Sequence, residues 1–167
     1  MEKGLIFWFT GLSGAGKTTL AEKSQIVLED NQVTTSIIDG DDVRSRLHYY
    51  LGFSEPEIKK NNSLIADLCD EERNARMAVL VPIISPYAES RKDARTRLSP
   101  GFFEIHICAD IPVLEARDTK GMYAKARRGE MENLIGYSDK APYEPPSSPD
   151  LVIKTDSMSV DNSVKML

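Results

Sequence analysis

Eight residues constrain this chain more than all the others: Gly11-Leu12-Ser13-Gly14-Ala15-Gly16-Lys17-Thr18 satisfies G-x-x-x-x-G-K-[ST] at every fixed position. Each residue type in that string has a physical reason. The glycines let the backbone fold its N–H groups inward around phosphate oxygens. A helix opening near Thr18 aims the positive end of its dipole at the same oxygens. Lys17 supplies a point charge for the β- and γ-phosphates, and the Thr18 hydroxyl can ligate Mg²⁺. The context agrees. Leu5–Thr10 is a continuous apolar run, the pattern of a strand buried on both faces of a parallel sheet, and a helical pattern follows the glycines. The expected cradle for ATP or GTP is therefore Gly11, Ser13, Gly14, Ala15, Gly16, Lys17, Thr18 and Thr19. The competing reading is a glycine-rich turn that holds no nucleotide.

The rest of the chain alternates. Further strands are expected over 34–38, 79–84, 103–109 and 151–153, and helices over 18–30, 56–76 and 89–98. Shorter charged helical segments fall at 112–117 and 119–128, before a proline-rich loop at 133–149. The first helix should turn Leu20, Ala21, Ile26, Val27 and Leu28 inward, and the second Ile58, Leu64, Ile65 and Leu68. Strands alternating with helices give an α/β fold, a parallel sheet flanked by helices with right-handed crossovers. With the glycine loop, that is the three-layer P-loop NTPase fold, whose ligands sit beyond the carboxyl ends of the strands. A length of 167 residues fits a single domain over 1–167, and 41% hydrophobic residues suffice for its core.

Charge and cysteines narrow the function classes. Lys plus Arg is 21 and Asp plus Glu is 26, for a net charge of −5. An acidic balance speaks against a general nucleic-acid or anionic-membrane binder, so a polyanion must be held by local donors. Cys69 and Cys108 stand far apart without a C-x-x-C pattern. That excludes a zinc site on spacing and suggests two buried thiols in a reducing compartment. No apolar stretch approaches the roughly 18 residues of a membrane span, and the run at 5–9 is too short for a signal-peptide core. The expectation is a cytoplasmic protein acting on a small molecule.

The strand over 79–84 ends at Ser85-Pro86-Tyr87, where a P-loop ATPase usually places an Mg²⁺-holding Asp. The acidic end belongs to the strand over 34–38, which runs into Asp39-Gly40-Asp41-Asp42-Val43-Arg44. Two carboxylates separated by Gly40 can both address a phosphate site. One can hold Mg²⁺ and the other can accept the proton of an attacking hydroxyl. The plainer reading is a helix cap and a surface turn.

Here the chain resembles adenylyl-sulfate kinases. The resemblance is carried by 7–19, by Asp39-Gly40-Asp41 with Val43-Arg44, and by Leu51-Gly52-Phe53-Ser54 and Ile84-Ser85-Pro86-Tyr87. It continues through Arg117-Asp118, Lys120-Gly121-Met122-Tyr123, Lys125-Ala126-Arg127 and Pro142-Tyr143-Glu144. It implies a kinase of nucleoside-monophosphate-kinase type that moves the ATP γ-phosphoryl to the 3′-hydroxyl of adenylyl sulfate, with a mobile lid at about 117–146. It casts Asp41 as the base, with Lys17 and Asp39 beside it, and Thr18 and Asp39 as the Mg²⁺ side. It places Arg117 on ATP, and Arg44, Phe53, Asn61, Ile84, Ser85, Lys120, Lys125 and Leu134 on the acceptor. Family members are commonly dimeric, so a homodimer is expected. His48 and His106 match no signature and are expected to be structural.

Three departures from the family pattern touch acceptor recognition alone. Ile58 stands where an acceptor-binding Arg is usual, with Lys59 or Lys60 as substitutes that lack the Arg fork. Asn133-Leu134-Ile135-Gly136 replaces a lid segment whose Phe usually covers the acceptor base. The loop from Gly136 to Pro142 is longer than usual by about two residues. These departures keep open a 3′-kinase for another nucleotide anhydride, such as a cytidine diphosphoramidate-like compound. They also admit a nucleotide-binding regulatory module without transfer.

Overall fold

The computed structural model describes residues 3–167. Five strands, β1 (Leu5–Thr10), β2 (Thr35–Ile37), β3 (Ala78–Pro82), β4 (Phe102–Cys108) and β5 (Leu151–Lys154), form one parallel sheet in the order β2-β3-β1-β4-β5. Phe7 of β1 lies opposite Leu80 of β3 on one side and Phe103 of β4 on the other. The helices are α1 (Lys17–Asp30), α2 (Gly40–Arg46), α3 (Glu55–Glu72), α4 (Ala88–Leu98), α5 (Ile111–Arg117), α6 (Met122–Arg127) and α7 (Val160–Val164).

Period-two alternation divides the core between the two faces of the sheet. Ile6, Trp8, Val79 and Val81 pack with Ile65, Ala66 and Cys69 of α3 and with Ala94 and Leu98 of α4. Phe9, Leu80, Ile105, Ile107 and Ile153 pack with Leu20 and Ala21 of α1 and with Leu114 of α5. Burial on both faces is why the central strands β1 and β3 read as apolar runs, while the edge strands β2 and β5 are only partly buried. Because β1 is central, the loop that follows it emerges at the middle of the sheet's carboxyl edge, where α/β sheets bind ligands.

Several sequence expectations are corrected. In α1 the buried residues are Lys17, Leu20, Ala21 and Ser24, a repeat at i, i+3, i+4 and i+7. Ile26 and Val27 lie off that stripe and are exposed, and Leu28 is half-buried. In α3, Ile58 and Ile65 are buried, but Leu64 and Leu68 only half so. Residues 40–46, to which the sequence patterning assigns no element, form α2, which Asp39 caps by accepting the Asp41 and Asp42 N–H groups. A further helix, α7, opens with Ser159 accepting from the Asn162 N–H. Cys69 is buried and Cys108 half-buried; both are free thiols.

Candidate active site

The glycine loop closes as its sequence requires. A Cβ on Gly11 would stand 2.0 Å from the Ile107 carbonyl oxygen, so no side chain fits there. Gly14 and Gly16 hold φ of 77° and 99°, the left-handed region that favours glycine. The loop is anchored by Tyr123, whose buried hydroxyl donates 2.8 Å to the Ser13 carbonyl. Lys17 lies inside, its Nζ donating 2.8 Å to the carbonyls of Gly11 and Leu12. Burial, reinforced by the Lys120 charge and opposed by Asp41 and Asp39, lowers its pKa to about 7. Ser13, Gly14, Gly16, Lys17, Thr18 and Thr19 line a cleft of about 440 Å³. Gly11 and Ala15 stand behind it, Gly11 packed on β4 and Ala15 fully buried.

Asp39 and Asp41 line the same cleft, close enough for their charges to act on Lys17. Asp39 divides its oxygens: Oδ1 caps α2, and Oδ2 accepts from the Thr18 hydroxyl at 2.8 Å. One carboxylate thus caps α2 and holds the Thr18 hydroxyl at the end of the glycine loop. The Asp41 carboxylate is ion-paired with Lys120 from the turn between α5 and α6. Two hard oxygen donors in contact, Thr18 Oγ1 and Asp39 Oδ2, match the donor chemistry Mg²⁺ selects.

The opposite wall carries the expected acceptor residues. Arg44 donates to the Leu51 and Gly52 carbonyls at 3.2 and 2.7 Å, and its guanidinium lies 4.6 Å from the centre of the Phe53 ring. Phe53 is 60% exposed at the mouth. Asn61 is buried, its Oδ1 2.8 Å from His48 Nδ1, which gives that buried histidine a structural partner. Asn62 Nδ2 reaches Ser85 Oγ at 3.3 Å. Ser85 holds φ of 44°, a conformation costing a residue with a side chain about 1 kcal/mol or more. Ile84 lines the same wall.

Four expectations about this wall change. Leu134 is only 2% exposed and packs in the core with Phe9, Leu114 and Tyr123, while its neighbour Ile135 lines the cleft. Lys125 is exposed on α6, outside the cleft lining, and only Lys120 of the pair reaches it. Lys59 does not stand in for an Arg at position 58: it pairs with Glu55 at 2.8 Å and Glu89 at 2.7 Å. Lys60 is exposed and absent from the cleft lining, whereas Ile58 is buried and lines it. His106 lies in β4, stacked near Tyr143.

The sequence reading missed the residues after β5. Thr155, Met158, Val160 and Ser163 line the end of the cleft beyond the glycine loop. Thr155 Oγ1 donates 2.8 Å to the Ala15 carbonyl. Arg117 donates to Thr155 at 2.6 and 3.0 Å, which spreads its guanidinium along this end. The signal was available: Thr155 directly follows a strand whose carboxyl end points at the cleft.

Comparison with known proteins agrees with this fold. The adenylylsulphate kinase family model matches residues 3–154. The adenylyl-sulfate kinase of Halothermothrix orenii is 42% identical over 165 residues, covering 97% of this chain and 86% of that protein. The adenylyl-sulfate kinase of Prochlorococcus marinus is 40% identical, covering 98% and 81%. The structure of the Mycobacterium tuberculosis APS kinase in complex with AMPPNP and APS superposes with a TM-score of 0.90 at 34% identity, covering 99% of this chain and 96% of that one. With the glycine cradle, the aspartates in the same cleft and this similarity along nearly the whole sequence, the chain belongs to the adenylylsulphate kinase family of phosphotransferases.

Proposed function

We propose that this protein transfers the γ-phosphoryl group of ATP to the 3′-hydroxyl of adenylyl sulfate. The observation that carries the reading is the single cleft in which the phosphate cradle and Asp39–Asp41 face a wall built from Arg44, Phe53, Asn61 and Ser85. The cradle amides and Lys17 take the ATP phosphates. Thr18 and Asp39 would hold Mg²⁺, which would supply charge neutralisation for the transferring phosphates. The Phe53 face suits a nucleotide base. Arg44 beside it and Lys120 in the same cleft lining offer positive charge to the acceptor's anionic groups.

Asp41 is the base in this reading. The 3′-oxygen attacks the γ-phosphorus, the hydroxyl proton passes to the Asp41 carboxylate, and the bond to the β-phosphate breaks with its electron pair leaving on ADP. Lys120 must first leave Asp41, and the incoming phosphates give its ammonium a stronger anionic partner. Residues 117–146 act as the lid, excluding water from the transferring group. No helix among the described residues is long and apolar enough to cross a membrane. A homodimer belongs to the same reading and is checked by light scattering.

Ile58 and Ile135 favour a second acceptor: both cleft-lining side chains are neutral and non-aromatic. A nucleotide anhydride with a smaller base, such as a cytidine diphosphoramidate-like compound, needs less stacking than adenylyl sulfate. A regulatory module without transfer has no chemical use for Lys17, Thr18, Asp39 and Asp41 together. ADP release is measured with a panel of 5′-nucleotide anhydrides. Turnover with adenylyl sulfate, falling by about 10²–10⁴ in Asp41→Asn with ATP affinity retained, supports the proposal. Turnover only with a pyrimidine compound transfers it to the second reading, and near-normal kcat in Asp41→Asn removes the base.

A further inference from the structure

One buried cation lies outside the chemistry described above. Arg91 on α4 is 3% exposed, and its three nitrogen positions reach three separate parts of the fold. Nε donates 2.7 Å to Glu104 on β4, Nη1 donates 2.7 Å to the Ser85 carbonyl, and Nη2 donates 2.6 Å to the Glu144 carbonyl. Ser85 is the left-handed residue of the acceptor wall, and Glu144 stands at the far end of the lid segment. These two places are also laced to each other. The Glu144 N–H donates 2.8 Å to the Pro86 carbonyl, and Glu144 Oε2 accepts from the Ala88 N–H at 2.6 Å. Below, Glu104 is shared with Arg95, which reaches Asp150 at 2.6 Å.

We propose that Arg91 is a positioning residue for acceptor binding, holding the strained Ser85 turn and the end of the lid as one preformed piece. A backbone in a sparsely populated conformation persists only where its surroundings over-determine it. Here the Ser85 carbonyl is fixed by Arg91 and by Thr10 Oγ1 at 3.2 Å. Three acceptors in three directions need a planar fork, which an ammonium does not reproduce. The network meets the glycine loop at its start, through Thr10 and through the Gly11 N–H on the Ile84 carbonyl at 3.4 Å, while Lys17 and the loop's later residues bond elsewhere, so its loss should weigh more on the acceptor than on ATP.

The inference rests on the reading of this wall as the acceptor side, and its test separates the two. Arg91→Lys is compared with wild type for both KM values, kcat and thermal melting. The expected result is an acceptor KM raised roughly tenfold to a hundredfold, with the ATP KM within about twofold. Unchanged KM values, or equal shifts for both substrates tracking a lower melting temperature, overturn it. Hydrogen exchange on the wild type supplies a check that does not depend on the variant folding or on any acceptor. The Ala88 and Glu144 amides should exchange as slowly as the β3 amides without nucleotide; loop-like exchange overturns the proposal. If wild type fails on adenylyl sulfate, the acceptor reading falls, and the KM comparison is made on whichever panel nucleotide it turns over.

Discussion

ATP binding should take up a proton above neutral pH, and Lys17 is the reason. Its Nζ is buried and rests on the Gly11 and Leu12 carbonyls, with a pKa near 7 in the free protein. A triphosphate in the cradle brings several negative charges to that nitrogen and restores the ammonium. At pH 8 a group of pKa 7 is about nine-tenths neutral, so binding should take up about 0.9 proton per site. ATP itself is almost fully deprotonated at pH 8 and contributes little. The apparent ATP affinity should therefore fall about tenfold per pH unit above 7. Stability of the nucleotide-free protein moves the other way. The unfolded chain binds the Lys17 proton up to its ordinary pKa of 10.5, whereas the folded chain releases it near 7. Between those values the unfolded state holds more protons, and folding stability rises with pH by up to about 1.4 kcal/mol per unit from this group. Calorimetry at pH 8 in two buffers of different ionisation enthalpy measures the uptake directly. In Lys17→Arg the uptake should vanish, because a guanidinium keeps its proton throughout. An uptake below about 0.2 proton in the wild type refutes the argument.

Three further outcomes follow from the packing. Leu134→Ala should lower stability by about 2–5 kcal/mol, as expected for a large side chain removed from a core, read from denaturant unfolding. Ile135→Ala should leave stability within about 1 kcal/mol and raise the acceptor KM; the reverse pattern would return Leu134 to the cleft. Gly11→Ala should abolish ATP binding and lower the melting temperature, since its methyl meets the Ile107 carbonyl. Wild-type nucleotide affinity in that variant would show that the loop can shift aside.

What the sequence made legible and what it hid have separate physical causes. The glycine cradle was legible because backbone closure around an anion admits few residue types. The central strands β1 and β3 are legible because burial on both faces leaves no polar alternation. Ile26 and Val27 were misjudged because hydrophobicity alone does not mark a helical face: the buried stripe of α1 runs through Lys17 and Ser24, which are polar. Leu134 and Ile135 are adjacent and similar, and the turn over 135–137, with Gly136 at φ 74°, separates the one in the core from the one in the cleft. Thr155 and Met158 belong to an irregular segment whose place is set by the sheet it leaves, not by any local period. Arg91 reads as an ordinary charge on a polar helix until its three partners are seen together.

Asp39 joins two structures that a mutational survey would treat as separate. One oxygen fixes the start of α2, which carries Arg44, and the other holds the first turn of α1 through Thr18. A shift of the glycine loop on filling would be handed through this carboxylate to the element bearing the acceptor's cation. Asparagine there could still cap the helix yet would lack the negative charge a divalent ion needs. Fold and catalysis would then come apart at a single atom pair, leaving a well-folded protein deaf to its own occupancy.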